Sequence, residues 1–210
     1  QGLIVNEGHA LAHGRNIPYL PMLQVFRGYY GVTDQDDDRT VREKIAGRML
    51  LIHEDFRDVL PVLFEFFGVS DPERPVPRMD PDAKQRQLFG VLRRLVQGAD
   101  ARGARGLVTL IEDLHWLDPG SEGFLEQWVD AVAGSSSFLV LNFRPEYHAP
   151  WMQKSYYRQL PLAPLGPDAI RKLLEDLLGS DPSTRGLAEA IHARTGGNPF
   201  FTEEVVQTLI

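Results

Sequence analysis

Apolar residues recur at helical spacing over much of the chain and are interrupted by a few short apolar runs of another kind. Leu20, Leu23, Val25, Phe26, Tyr29 and Tyr30 predict an amphipathic helix. Two more helices are expected over 39–53 and 54–67, the second with Phe56, Val59, Leu60, Leu63, Phe66 and Phe67 on one broad face. Gly68 to Asp80 carries three prolines and reads as a loop. Asp80-Pro81 pairs a capping residue with a proline at the first helical position, and Leu88, Val91, Leu92, Leu95, Val96 and Ala99 follow in register. Gly103 to Gly106 breaks that helix. Asp118-Pro119 repeats the cap-and-proline pattern ahead of Phe124, Leu125, Trp128, Val129 and Val132. Gly166-Pro167 opens a helix bearing Ile170, Leu173, Leu174, Leu177 and Leu178. Another spans about 183–195, and helix resumes over 201–210 after a sharp break at Thr195 to Phe200.

Strand signals stand between these helices. Leu3, Ile4 and Val5 form a short one. Leu107 to Ile111, rich in strand formers, and Phe138 to Leu141 are short apolar runs, the pattern of strands buried on both faces. Residues 156–162 read as a weaker strand, after which the pattern is helical only. Strands separated by helices imply parallel pairing through crossovers. The expected fold is α/β, a layered core over 1–164 followed by a small helical domain over 165–210.

Composition narrows the class. The chain has 210 residues, 43% hydrophobic and 24% charged, with 22 basic and 29 acidic side chains and a net charge of −7. No basic footprint for nucleic acid is present, and no apolar run reaches membrane-spanning length. Cysteine is absent, which excludes disulfides and thiolate metal sites and fits a cytoplasmic protein. The chain opens on Gln1-Gly2 and ends in a helix-like pattern, reading as a piece of something longer.

The chemistry concentrates where the run 107–111 ends in two acids, Glu112 and Asp113. Open α/β sheets bind ligands at the carboxyl ends of their strands. A magnesium ion on a nucleotide phosphate suits such a pair, since Mg²⁺ takes one or two carboxylates plus phosphate oxygens. The alternative is a strand that ends in two solvated acids. His9 and His13, four apart, would share one helix face, but the Glu of a zinc-protease pair is missing and no third ligand is near. Asp36, Asp37 and Asp38 read as a solvated loop and helix start.

Glu112 to Asp118, Glu-Asp-Leu-His-Trp-Leu-Asp after an apolar run, resembles the Walker B region of AAA+-related signal-transduction ATPases. These modules sit beside adenylate cyclase domains or helix-turn-helix regulators in multidomain bacterial proteins. Asn16 to Pro21 resembles the segment after that family's second strand, and Phe138 to Glu146 its sensor-1 strand. Leu160 to Leu165 resembles the entry to the helical lid, and Gly196 to Phe200 the lid motif near the nucleotide. The resemblance implies a three-layer P-loop NTPase core with an incomplete parallel sheet, and a helical lid. It implies ATP and Mg²⁺ as cofactors, flanking cyclase or regulatory domains, and assembly into oligomers. It gives Glu112 the metal, Asp113 the attacking water and Arg144 the γ-phosphate, and places His115, Asn198 and Pro199 beside the nucleotide. Each has a structural alternative: a hydrogen-bonded histidine, an ion pair for Arg144, a cap-and-proline start for Asn198-Pro199. Trp116 reads as packing and Asp118 as a helix cap. The sequence departs from the family in one respect. No Gly-x-x-x-x-Gly-Lys-Ser/Thr occurs in it; Gly8 to Arg15 has the wrong spacing. The missing loop leaves a rival reading open, a docking module that keeps the fold without nucleotide chemistry.

Overall fold

The computed structural model describes residues 5–14, 17–100, 107–179 and 186–209. The expectations for Leu3, Ile4, the break at 103–106 and the first residues of the helix placed at 183–195 lie outside them. The chain divides into two compact units, Gln1–Tyr157 and Arg158–Ile210.

The first unit is built on a parallel sheet of β1 (Val5–His9), β2 (Val108–Glu112) and β3 (Phe138–Leu141), in that order. Val5 pairs with Val108 and His9 with Glu112; Val108 pairs with Phe138 and Ile111 with Leu141. The helices are α1 (Leu20–Tyr30), α2 (Asp38–Ile52), α3 (Leu60–Phe66), α4 (Pro81–Asp100) and α5 (Pro119–Val132). The mixed α/β architecture is that of an incomplete AAA+-like core.

Burial along the strands alternates, whereas the apolar runs suggest burial on both faces. Asn6, Gly8, Thr109 and Ile111 are buried. On the other face Val5 is 46% and Phe138 65% exposed, and Val140 is also open. Among the described residues, helices cover only the first face. Residues 156–162 form no strand; Leu160 and Leu162 are 85% and 96% exposed. They pair with none of the three described strands although β1 and β3 each keep an open edge, and Pro161 has no N–H to give to a ladder.

His9 and His13 also depart from expectation. The strand runs on to His9, and His13 lies in a 3₁₀ turn at Ala12–Gly14, so the two share no helix face. Over 54–67 the expected single helix is a 3₁₀ turn at Glu54–Val59 followed by α3. Pro61 provides the reason, because it has no N–H for an unbroken helical ladder.

Elsewhere local grammar accounts for the helix ends. Asp37, Asp80 and Asp118 accept the N–H of Thr40, Ala83 and Ser121 at 2.8, 2.7 and 3.0 Å. Each such cap contributes about 1 kcal/mol. Gly31, at φ 69°, ends α1, and the Val32 N–H reaches back to the Arg27 carbonyl at 2.8 Å. The acidic cluster is used locally: Asp37 is a cap, and Asp36 takes the Lys44 ammonium at 2.7 Å. The Lys44 hydrogen bond holds the Asp36 carboxyl below its usual pKa.

An aromatic cluster joins the helices. Phe26 stacks on Trp128 at 5.6 Å and meets Phe124 edge-on at 5.9 Å, while Phe66 lies against both Phe26 and Phe124. Offset and edge-on pairs add about 0.5–1.5 kcal/mol each beyond burial.

The second unit contains α6 (Pro167–Leu178), α7 (Leu187–Thr195) and α8 (Pro199–Leu209). Its core is Ile170, Leu174, Ala188, Ile191 and Val206. Gly197, at φ 81°, lets the backbone of Leu165 approach, and the Leu165 N–H donates to the Gly197 carbonyl at 2.8 Å. A Cβ on Gly197 would lie 2.3 Å from the Leu165 oxygen, whereas one on Gly196 would meet nothing. Gly197→Ala is expected to cost about 2 kcal/mol or more and Gly196→Ala about 1. Amide exchange in α7 and α8 measures the difference; equal costs would rule out the close approach as the cause.

Candidate functional site

The three strands end at one level because they are parallel and in register. His9, Glu112 and the residue after β3, Asn142, therefore meet at the carboxyl edge. Glu112 is the centre of this group. Its Oε2 lies 2.6 Å from His9 Nδ1, and its Oε1 accepts from Asn142 Nδ2 at 3.0 Å. Asn142 also accepts the Asp113 N–H on its own Oδ1 at 2.6 Å. The backbone closes the frame: Ala10 N–H donates to the Glu112 carbonyl and Leu114 N–H to the Asn142 carbonyl, at 3.0 and 3.1 Å. Gln24 on α1 accepts the His9 N–H at 2.7 Å.

Strand geometry ends at Glu112. Asp113 has φ 59° and ψ 44°, a left-handed conformation uncommon for a residue other than glycine. This turn releases the two acids from the opposite faces that successive strand residues take. Glu112 is held by two side chains, while the Asp113 carboxylate stands more than half exposed. Such left-handed positions carry strain and cluster at functional sites.

The remaining candidates are distributed unevenly. His115 is mostly buried, with Nε2 4.0 Å from Asp113 Oδ1 and its ring 5.0 Å from that of Trp116. Trp116 packs partly into the core, as expected. Arg144 is exposed in the loop after β3 with its guanidinium 5.9 Å over the Trp116 ring, so it stands near the acid turn. Asp118 is buried and caps α5. Asn198 and Pro199 belong to the second unit. The Asn198 Oδ1 accepts the Phe200 N–H at 3.0 Å and its carbonyl the Thr202 N–H at 3.0 Å, which starts α8 in the cap-and-proline manner.

Two members of the site were not picked out from the sequence. In the sequence His9 stands out only as a metal ligand beside His13, and Asn142 only as part of a strand end. The available signal was positional: each is the polar residue that closes an apolar or alternating run, as Glu112 is.

Mg²⁺ needs about six oxygens in near-octahedral array and usually keeps waters and phosphates among them. Glu112 and Asp113 are carboxylates at the sheet edge, a donor type that fits the protein side of such a shell. Among the described residues no three His, Asp or Glu side chains are grouped to hold a metal unaided. The Lys and hydroxyl of a phosphate cradle are not among residues 1–210 as a recognisable motif.

The chain is 30% identical over 164 residues to an uncharacterised protein of Rhizobium meliloti (strain 1021), a stretch covering 69% of this chain and 16% of that relative. The chain thus spans about a sixth of the length of that protein. No solved structure matches. Among the described residues no helix is long and apolar enough to cross a membrane. Residues 1–141 match the family described as the AAA ATPase domain, and on that match over most of its length the chain belongs to the AAA ATPase domain family.

Proposed function

We propose that this chain is part of the ATP-binding and ATP-hydrolysing switch of a larger signal-transduction protein. Family membership supports nucleotide binding, and the much greater length of the matched relative supports a multidomain setting. The observation that carries the reading is the acid pair at the carboxyl edge. Glu112 is fixed by His9 and Asn142, and Asp113 is turned out to solvent beside it. A strand that merely ended in two solvated acids would need neither partner.

In this proposal Glu112 contributes to the metal shell and Asp113 orients the attacking water. Arg144 meets the γ-phosphate, since a guanidinium binds phosphate oxygens bidentately. His9 and Asn142 position Glu112. His115, Asn198 and Pro199 contribute to the nucleotide surroundings. ATP with Mg²⁺ is the ligand; the partners are flanking cyclase or regulatory domains and further copies of the same module. Binding to nucleic acid and membrane is outside its role, and the compartment is the cytoplasm. When bound, the metal neutralises phosphate charge, and the chain's own residues position and exclude water.

Calorimetric titration tests this. The full-length protein is expected to bind ATP in a Mg²⁺-dependent manner, and Glu112→Gln to weaken it. Residues 1–210 alone are expected to bind at least about a hundredfold more weakly, because each missing charge-assisted hydrogen bond to phosphate costs about 1.5–3 kcal/mol. Micromolar affinity for residues 1–210 would overturn the assignment of phosphate contacts. Absence of binding by the full-length protein would favour the docking module, for which the lack of a phosphate cradle in this sequence is the supporting observation.

A further inference from the structure

Asp118 is buried, 6% exposed, and lies outside the proposed chemistry. A helix cap requires one acceptor oxygen, yet both of its oxygens are used. Oδ1 accepts the Ser121 N–H at 3.0 Å. Oδ2 accepts the Ser121 hydroxyl at 2.5 Å and the Tyr19 N–H, 99 residues away in sequence, at 3.3 Å.

Tyr19 is itself unusual. Its φ of 62° makes it, with Asp113, one of two left-handed residues other than glycine among those described. Its carbonyl accepts the Leu23 N–H at 2.8 Å and so begins α1, while its own side chain caps nothing. The left-handed turn directs its N–H at Asp118. The ring lies 5.7 Å from Phe66 and 6.3 Å from Phe124. Gly120 makes the approach possible, since a Cβ there would stand 3.0 Å from Asp118 Oδ1 and 3.1 Å from the Tyr19 ring.

We infer that Asp118 is a shared clasp that joins the starts of α1 and α5. One carboxylate serves the N-termini of two helices that follow two adjacent parallel strands. The segments leaving β1 and β2 at the carboxyl edge therefore move as one body. A displacement of the turn at 113–117 is carried into 17–21, and the reverse. The device rests on these contacts and not on the identity of the ligand.

Asp118→Asn separates clasp from cap. Asparagine caps helices as well as aspartate does, so one oxygen remains for the Ser121 N–H. Its amide nitrogen carries hydrogens and accepts nothing from Tyr19. Asp118→Ser caps from a shorter side chain and gives a second variant with the same logic. Residue-resolved amide exchange on the folded protein is the measurement. The clasp predicts that protection at Tyr19 and Leu20 falls about tenfold in both variants while Ser121 and Glu122 keep theirs, a difference equal to about 1.4 kcal/mol. Unchanged exchange at Tyr19 and Leu20 would overturn it, and so would an equal loss across both segments, which marks a cap and nothing more.

Discussion

On the proposed function, Asp113→Asn in the full-length protein is expected to lower the single-turnover rate of ATP hydrolysis about 100-fold or more and to leave ATP affinity within a few-fold. The substitution keeps the size and the hydrogen-bonding shape of the side chain. It removes the charge proposed to orient water, an interaction that would count chiefly in the transition state. Glu112→Gln is expected to act differently. Glu112 is fixed between His9 and Asn142, which suits the proposed role of a held ligand, and its loss is expected to shift the metal dependence and lower nucleotide affinity. The geometry permits two distinct roles because strand structure stops at Glu112 and the left-handed Asp113 turns the chain. Measuring ATP affinity and single-turnover rate for both variants decides the matter. If Asp113→Asn lost binding and Glu112→Gln lost only rate, the two roles would be exchanged. If neither variant changed the rate, the catalytic reading of this turn would fail.

Gly8→Ala is expected to destabilise the first unit by about 3 kcal/mol or more, at the upper end of the cost of overpacking. For a chain of this size that lowers the melting temperature by roughly 6–12 °C. Gly8 lies where β1 and α1 approach most closely. A Cβ there would stand 2.3 Å from the Pro21 carbonyl oxygen and 2.9 Å from Val25 Cγ2. The first of these is backbone at the start of a helix, and it has no rotamer by which to yield. Gly28, on the facing side of α1, is the control. Its Cβ would meet Asn6 Oδ1 at 3.4 Å, an ordinary contact, and alanine also favours a helix interior by about 0.5–1 kcal/mol. Gly28→Ala is therefore expected to be neutral or slightly stabilising. Denaturant midpoints of the two variants would separate widely; equal midpoints would mean that β1 and α1 do not pack as described. Because β1 delivers His9 to Glu112, Gly8→Ala is also expected to loosen the acid site.

Local rules were enough for much of the chain. Asp80-Pro81 and Asp118-Pro119 announce helices because a cap oxygen and a fixed φ act within three residues. The spacing of Leu88, Val91, Leu92, Leu95 and Val96 on α4 marks a buried face because helical geometry alone brings them together. The apolar run ending in Glu112 and Asp113 likewise marked the position of the site. Properties that depend on neighbours were not legible in the same way. An apolar run does not reveal whether its second face is covered, so Phe138 and Val140 read as buried although both are open. Residues 156–162 read as a strand, but a strand exists only by pairing, and these residues pair with neither open edge of the described sheet. His9 and His13 suggested a shared helix face because the extension of β1 to His9 depends on pairing with β2, 103 residues away by register with Glu112. The clustering of His9, Glu112 and Asn142 and the joining of Tyr19 to Asp118 arise from parallel register and helix packing. Those bring together residues about 30 to 100 positions apart, a distance over which local sequence preferences carry no information.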